Sequence, residues 1–427
     1  MRRLLAIAGV AAALAASPAG AETVAITNAR LLTMGPAGEI PVGVLVMQDG
    51  KIIAVGKDVA PPAGARIVDA GGAIVTPGVV ASDVDFGLTE VEAVGDTVDT
   101  ATRSEHLSAA FDVRYGLDPF SVVIPVARLG GVTRAIVTPR YRNADDRELL
   151  FAGQAAVVHL GQGVDMLVQP GAAMVLDLGA KGAARAGGAR GAAFVALKAA
   201  LGDVRWYMRN RQAFDRGEAR QLDLSRADLE ALIPVVRGEM PVMVRAHRAA
   251  DILQVLDLAK AEGLKVILEG AQEGWMVAGQ IAAAGVPVIL DPTDNLPASF
   301  EMRAATMENA ARLHRAGVLI ALEGGGGGHR ARETRYNAGI AVANGLPYDA
   351  ALKAITVNPA RIFGLSDRFG ALQVGRDADV VIWSGDPLEP LTHPTAVFIR
   401  GEQQPMTSRA LELRDRYKSV GAAQPSR

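Results

Sequence analysis

A chain of 427 residues, half of them apolar and 21% charged, has material for a large core and excludes a disordered chain. Its formal net charge of −2, with no dense Lys/Arg block, excludes the electrostatic footprint of a nucleic-acid binder. There are no cysteines, which excludes disulfides, thiolate metal ligands and Cys nucleophiles.

The first residues carry a targeting pattern. Arg2-Arg3 is followed by an apolar run over 4–16, a Ser17-Pro18 break and Ala19-Gly20-Ala21, an A-x-A cleavage site. The run is shorter than the ~18 residues a membrane span needs. The pattern predicts a signal peptide over 1–21 and a periplasmic or secreted mature chain beginning after Ala21, with no membrane span.

Residues 22–72 read as short β elements. Val24-Ala25-Ile26-Thr27, Val44-Leu45-Val46-Met47 and Lys51-Ile52-Ile53-Ala54-Val55-Gly56 are β-branched runs, and Asp49-Gly50 between the last two predicts a type I′ hairpin. Near the other end, within 367–405, Ala378-Asp379-Val380-Val381-Ile382-Trp383 and Ala396-Val397-Phe398-Ile399 are again strands. The two pieces predict one small β domain that a central domain over 73–366 interrupts. Residues 406–427 form a tail, with an Arg- and Leu-rich docking helix over 408–420.

The centre alternates strands with amphipathic helices. Strands are expected over 74–84, 132–137, 174–178, 241–247, 265–269, 286–291 and 318–323. Ser225-Arg226-Ala227-Asp228 resembles a capping box opening a helix over 229–236, Gly263 closes a helix over 251–262, and Gly317 closes one over 302–316. Continuous apolar strands alternating with helices mean a parallel sheet buried on both faces, and seven of them favour a closed barrel over an open sheet.

In such a barrel the chemistry sits at the strand C-termini. Those ends carry Asp83 and Asp85, Asp177, His247, Glu269, Asp291 and Glu323, each of which alone also reads as a loop or helix cap. The glycine- and cation-rich 178–191 loop has the makings of an anion cradle, but is not a nucleotide P-loop. Gly324 to Gly328 form a mobile loop before His329 and Arg330. No G-x-S-x-G elbow occurs.

Several blocks resemble the amidohydrolase superfamily, in particular its imidazolonepropionase-like and dipeptidase branch. Thr76-Pro77-Gly78-Val79-Val80-Ala81-Ser82-Asp83-Val84-Asp85 is similar to that family's first barrel strand. Ala127-Arg128-Leu129-Gly130-Gly131-Val132-Thr133 resembles its second. Thr356-Val357-Asn358-Pro359-Ala360 and Gly370-Ala371-Leu372-Gln373-Val374-Gly375-Arg376-Asp377-Ala378-Asp379 resemble its closing motifs. The resemblance implies a (β/α)8 TIM barrel with a small β-sandwich built from both termini, a divalent metal such as Zn or Mn, and hydrolysis of C–N bonds in small substrates such as amides, dipeptides or cyclic amides. It allows a homo-oligomer.

The family's metal is held by His-x-His on strand 1, a His on each of strands 5 and 6, and an Asp on strand 8. Asp83 and Asp85 replace the first pair, His247 fits strand 5, Glu269 stands near the strand 6 ligand, and Glu323 near the strand 8 Asp, which acts as acid/base. His106, His329 and Arg330 fall in loops where the family places substrate contacts. Two readings stay open. One is a metal-dependent hydrolase with a carboxylate-rich site. The other is a metal-free pseudoenzyme that binds a small molecule or a protein.

Overall fold

The strands of the two chain ends meet in one sheet. The computed structural model describes residues 22–104, 106–141, 150–218 and 220–418, so the expected leader at 1–21 and the last residues of the tail lie outside the described residues. Strands β1 (Val24–Leu32), β2 (Glu39–Gln48), β3 (Lys51–Gly56), β4 (Arg66–Asp69) and β5 (Ile74–Pro77) open the chain. The β2–β3 turn is the expected one. Asp49 and Gly50 both take positive φ, 52° and 76°, as a type I′ turn requires, and Gln48 pairs with Lys51 across it.

The central strands are β6 (Val79–Val84), β7 (Val132–Val137), β8 (Phe151–Gln154), β9 (Ala156–His159), β10 (Leu167–Gln169), β11 (Met174–Asp177), β12 (Val242–Ala246), β13 (Val266–Gly270), β14 (Val288–Leu290) and β15 (Ile320–Leu322). The chain closes with β16 (Val380–Trp383), β17 (Pro394–Ile399), β18 (Glu402–Gln403) and a tail helix, Arg409–Tyr417, capped by Ser408. Strand β16 runs antiparallel to β5, with Val381 opposite Thr76, and this pairing fuses the two termini. The resulting sheet has the order β18-β17-β16-β5-β1-β2-β3, with β4 beside β1. The sequence led us to expect a two-layer sandwich; the described ladders form this one eight-stranded sheet.

All seven expected central strands are present, and they are buried on both faces. The anticipated arrangement of parallel strands alone is not. β6 and β7 pair in parallel, and so do β11 to β15, but residues 151–159 run antiparallel to both neighbours, β9 beside β7 and β8 beside β11. An antiparallel neighbour needs no crossover helix, which explains why a strand missed by the β–α alternation fits here. No ladder joins β15 to β6 among the described residues. The gap is bridged instead from the Thr356-Val357-Asn358-Pro359 segment: Val80 N–H donates to Ile355 O (2.8 Å) and Asn358 Nδ2 donates to Ile320 O (2.8 Å).

Inside these strands lies one apolar layer. Val80, Ile136, Val157, Val175, Met243, Ile267, Ile289 and Ala321, one from each strand position, form a shared cluster plugged by Ala360, Phe363, Leu365 and Phe369. Outward-facing residues of the same strands pack under the helices. The expected caps hold: Ser225 Oγ accepts from Asp228 N (3.2 Å), and Gly263 takes φ 71° at the end of Ala249–Glu262. The helix expected over 302–316 is shorter, Asn309–Arg315, because Asn309 is tied to Ala271 O and Trp275 N and fixes its start.

Terminal sheet and central strands are joined through close backbone approach and one buried arginine. A side chain at Gly78 would overlap Thr133, and one at Gly131 would meet Trp383, so both positions demand glycine. Arg134, 1% exposed, lies two residues below Ile136 on β7 and donates to Asp379 (2.6 Å) and Asp377 (2.7 Å), while Lys51 also reaches Asp377 (2.7 Å). This gives the Gly375-Arg376-Asp377-Ala378-Asp379 block its structural meaning.

Burial acts to raise the Asp377 pKa, but hydrogen bonds from Lys51 and Arg134 and their charges outweigh it and hold the group below 3.8. A carboxylate with a lowered folded pKa adds stability above its unfolded pKa, and that contribution is lost as pH falls through the folded value. Arg134→Met is therefore expected to cost about 3–5 kcal/mol at neutral pH, because it strands two buried carboxylates. In chemical denaturation the deficit should shrink as pH is lowered below about 4. A deficit independent of pH would show that packing rather than charge was lost.

Candidate functional site

The polar groups of the site follow from strand periodicity. Side chains alternate along a strand, so the residue two beyond an inward apolar one also points inward, one layer higher. Two beyond Ile136 is Thr138; beyond Val175, Asp177; beyond Met243, Arg245; beyond Ile267, Glu269; beyond Ile289, Asp291; beyond Ala321, Glu323. A polar layer thus sits directly on the apolar plug, at the C-terminal ends of the parallel strands.

Asp83 enters this layer by a different route. Counting from Val80, alternation places it on the outer face. The β6–β7 register shifts between Ala81 and Val84, and Asp83 takes φ 54°, a left-handed backbone that Asp tolerates better than most residues. The turn swings its carboxylate inward, where Arg140 clamps it: Nη1 donates to Asp83 Oδ2 (2.7 Å), and Nη2 to Asp83 O (2.6 Å) and Gly326 O (2.8 Å). Thr138 Oγ1 donates to Asp83 Oδ1 (2.5 Å).

Arg245 completes the network. Its Cα is in register with Glu269 on β13, so the two side chains leave neighbouring strands side by side. Nε donates to Glu269 Oε2 (2.6 Å) and Nη2 to Asp83 Oδ2 (3.0 Å). One guanidinium therefore spans two carboxylates from strands that do not pair. Glu323 is the third acid. One oxygen each of Asp83, Glu269 and Glu323 lie within 4.8 Å of one another, and Glu323 Oε2 is buried with no hydrogen-bond partner among the described residues.

The electrostatics divide these groups. Burial acts to raise Asp83, but Arg140, Arg245 and the Thr138 hydroxyl outweigh it and hold the carboxylate far below its usual range. Burial acts to lower Arg245, but Glu269 and Asp83 more than offset it, so its proton stays. Glu323 is pushed well above the usual range by burial first, then by the charges of Asp83, Glu269 and Asp291. Glu269 is also raised, by burial first, against the lowering charge of Arg245. Arg140 and Arg245 thus offset the charge of Asp83 and Glu269, while burial favours the proton on Glu323.

Three of the sequence-nominated residues, Asp83, Glu269 and Glu323, are brought together, and two nominated ligands are not. Asp85 and His247 each lie two residues beyond a member of the polar layer, about 7 Å further along the chain direction. Asp85 accepts from the Gly328 N–H, and the His247 ring donates from Nδ1 to Gln272 Oε1, whose amide in turn donates to Asp294 (2.5 Å). Gly270, at φ 86°, leaves the room the imidazole occupies. His247 thus hydrogen-bonds Gln272 rather than the carboxylates, and it is Arg245 that bonds them at their own level.

The nominated substrate contacts lie outside this layer. His106 is exposed and its backbone N–H donates to Ser104; His329 is 57% exposed and faces Glu92 at 3.6 Å; Arg330 is exposed and pairs with Glu333 at 3.0 Å. The 324–328 glycine loop, read as mobile, is tied down by Arg140 on Gly326 and Asp85 on Gly328. The 178–191 anion cradle is filled from within: Ala180 N–H donates to Glu301 (2.7 Å), and Asp177 accepts from Gly179 and Gly182. Asp177 and Asp291 act as local caps, Asp291 taking Thr293.

Arg245, Arg140, Thr138 and Gln272 were not singled out from the sequence. Arg245 left a signal, since an arginine inside the apolar run Val242-Met243-Val244 two residues before His247 shares its face. Arg140, after Thr138-Pro139, left none.

A divalent ion of the family's kind would need Asp83 lone pairs that Arg140, Arg245 and Thr138 already use. The cluster offers three carboxylate oxygens at suitable mutual distances, which suit a hard cation. Both Asp83 oxygens and Glu269 Oε2 face guanidinium N–H groups at 2.6 to 3.2 Å, so the ion would sit beside two fixed positive charges. The residues in this arrangement do not fit the metal.

Comparison with known proteins agrees with the fold. Residues 213–405 match the amidohydrolase family. The amidohydrolase tasK of Hapsidospora irregularis is 25% identical over 374 residues, which cover 80% of this chain but only 37% of that protein's length. The imidazolonepropionase of Sphingopyxis alaskensis is 28% identical over 404 residues, 85% of this chain and 92% of the relative. The crystal structure of an amidohydrolase from Thermotoga maritima superposes with a TM-score of 0.80 at 25% identity, covering 90% of this chain and 100% of that one. Sequence blocks, the family match over residues 213–405 and these likenesses converge on the amidohydrolase superfamily.

Proposed function

We propose that this protein carries a hydrolase-like site for a small molecule with an amide, dipeptide or cyclic-amide C–N bond, placed at the C-terminal ends of its central strands. In this reading the strands enclose a (β/α)8-type barrel whose β15–β6 seam is sealed by 355–358. The observation that carries the reading is Glu323. It stands just beyond β15, 7% exposed, with one oxygen unpartnered and the other acids of the layer beside it.

Hydrolysis of a C–N bond adds the oxygen of water to the carbonyl carbon and delivers a proton to the departing nitrogen. A carboxylic acid kept protonated by burial is suited to give that proton, and Glu323 is such a group. Asp83 and Glu269 act by fixing the arginines; the Arg245 side chain is 15% exposed and that of Arg140 is 22% exposed, so both are partly open to solvent.

A second reading, ligand binding without turnover, is favoured by the same arginines. They occupy the carboxylates that would otherwise hold a Zn or Mn ion to activate water. A panel of N-acyl amino acids, dipeptides and cyclic amides, assayed for amine release, separates the two. Turnover that Glu323→Gln abolishes supports hydrolysis; turnover unaffected by Glu323→Gln removes Glu323 from the chemistry. Saturable binding with no amine release selects the second reading. The proposal extends to export, supported by the 1–21 pattern: the mature protein recovered from the periplasm or medium should start at Glu22.

Glu323 also makes a prediction about stability. Its folded pKa lies above the 4.5 of a free carboxyl, so the folded chain binds more protons than the unfolded one between the two values. Stability then falls as pH rises through that window. Glu323→Gln removes the penalty: the Tm of the variant should match the parent near about pH 4 and exceed it near about pH 8. A Tm difference that does not change with pH would show that Glu323 ionises freely.

A further inference from the structure

We infer that Arg245, assisted by Arg140, is the resident cation of this site, a guanidinium standing where a divalent ion would have to stand, and that its removal turns the acidic layer into a metal-binding one. The inference concerns the carboxylate layer named in the proposed function and does not depend on turnover.

Geometry carries it. A divalent ion held by carboxylates sits about 2.0–2.6 Å from each oxygen, so it would lie among the oxygens of Asp83, Glu269 and Glu323. Those oxygens are within 4.8 Å of one another, close enough to share one ion. Arg245 Nε is 2.6 Å from Glu269 and Nη2 is 3.0 Å from Asp83, so two of the three acids already converge on a cation. Only Glu323, 7% exposed and with an unpartnered oxygen, has no ion-pair partner among the described residues. The planar fork explains why arginine stands here: it reaches two carboxylates on different strands at once, which an ammonium point charge cannot do bidentately.

The position is also rigid. Arg245 is in register with Asp177 on one side and Glu269 on the other, within strands buried on both faces. Arg140 holds Asp83 through both its carboxylate and its carbonyl oxygen and so fixes the left-handed turn that brings Asp83 inward. An ion and the Arg245 guanidinium would compete for the lone pairs of Asp83 and Glu269 and repel each other. Binding of one therefore excludes the other.

The experiment uses the full mature chain, the Arg245→Met variant and the Arg245→Lys variant. Each is stripped with EDTA and titrated with Mn(II) or Zn(II), with calorimetry and Tm as readouts. The parent should show no stoichiometric binding and no change in Tm with EDTA or metal. Arg245→Met should melt lower, regain several degrees with Mn(II) and bind one ion roughly a hundredfold more tightly than the parent, within the range typical of coupled binding events. Arg245→Lys, which keeps the charge, should gain no metal.

Should Arg245→Met fail to fold, the triple variant Arg245→Met/Asp83→Asn/Glu269→Gln removes the arginine together with both carboxylates it bridges. Its folding would support the pairing, and its failure to fold would overturn it. Stoichiometric metal in the parent, or an Arg245→Met protein that neither loses stability nor gains an ion, also overturns the inference. Amine release in a parent that binds no metal keeps it together with hydrolysis. Metal gained by Arg245→Met in a parent without amine release keeps it and removes hydrolysis alone.

Discussion

Three carboxylates packed within a few ångströms, on top of an apolar plug, set the terms for this molecule. A buried charge must be paired, hydrogen-bonded or neutralised by a proton. All three solutions are used. Asp83 is paired twice and hydrogen-bonded by a hydroxyl, Glu269 is paired once, and burial shifts Glu323 towards its protonated form. The result is a layer whose acids are compensated by guanidinium groups. Removing either arginine would break that balance, because an ion pair buried this deeply matters less for what it contributes than for what its loss leaves behind.

The same constraint reaches into the backbone. Asp83 can face inward only because β6 slips register and the residue turns left-handed, and that turn is held by Arg140 on its carbonyl oxygen. Arg140 also takes the carbonyl of Gly326, and Asp85 takes the amide of Gly328, so the glycine loop after β15 is fastened over the layer rather than left free. Gly325 and Gly326, at φ 87° and 83°, are needed because the loop must present its backbone and not side chains to these groups. First strand, second strand and last loop are thus tied through one carboxylate.

Much of this was legible in the sequence, for reasons that differ between fold and site. The strands were legible because each is a continuous apolar run, and the Asp49-Gly50 turn because only a few residue pairs accept two positive φ angles. Asp83, Glu269 and Glu323 were legible because they end such runs. The antiparallel 151–159 segment was not, since nothing in its composition records direction. Asp85 and His247 were misplaced by one layer: pattern gives the face of a strand, but not the height at which a side chain meets its neighbours. Arg245 was not legible as a site residue because a cation inside an apolar strand carries none of the acid or imidazole pattern that marks a metal site.

A second buried arginine makes the separation of fold and site intelligible. Arg134 lies on the other side of the apolar plug from Arg245, two residues below Ile136 where Thr138 is two above. It binds Asp377 and Asp379 and so joins the central strands to the terminal sheet, while Ile355 and Asn358 bridge the seam between β15 and β6. None of these bonds involves the polar layer. The framework is therefore held from the side opposite the site, and the acids and arginines at the strand ends are free to be exchanged for a different set without loosening it. That is the physical reason why a chain can carry the superfamily's strand order and its closing motifs while presenting, at the one place where the superfamily does its chemistry, an arrangement of charges that closes on itself.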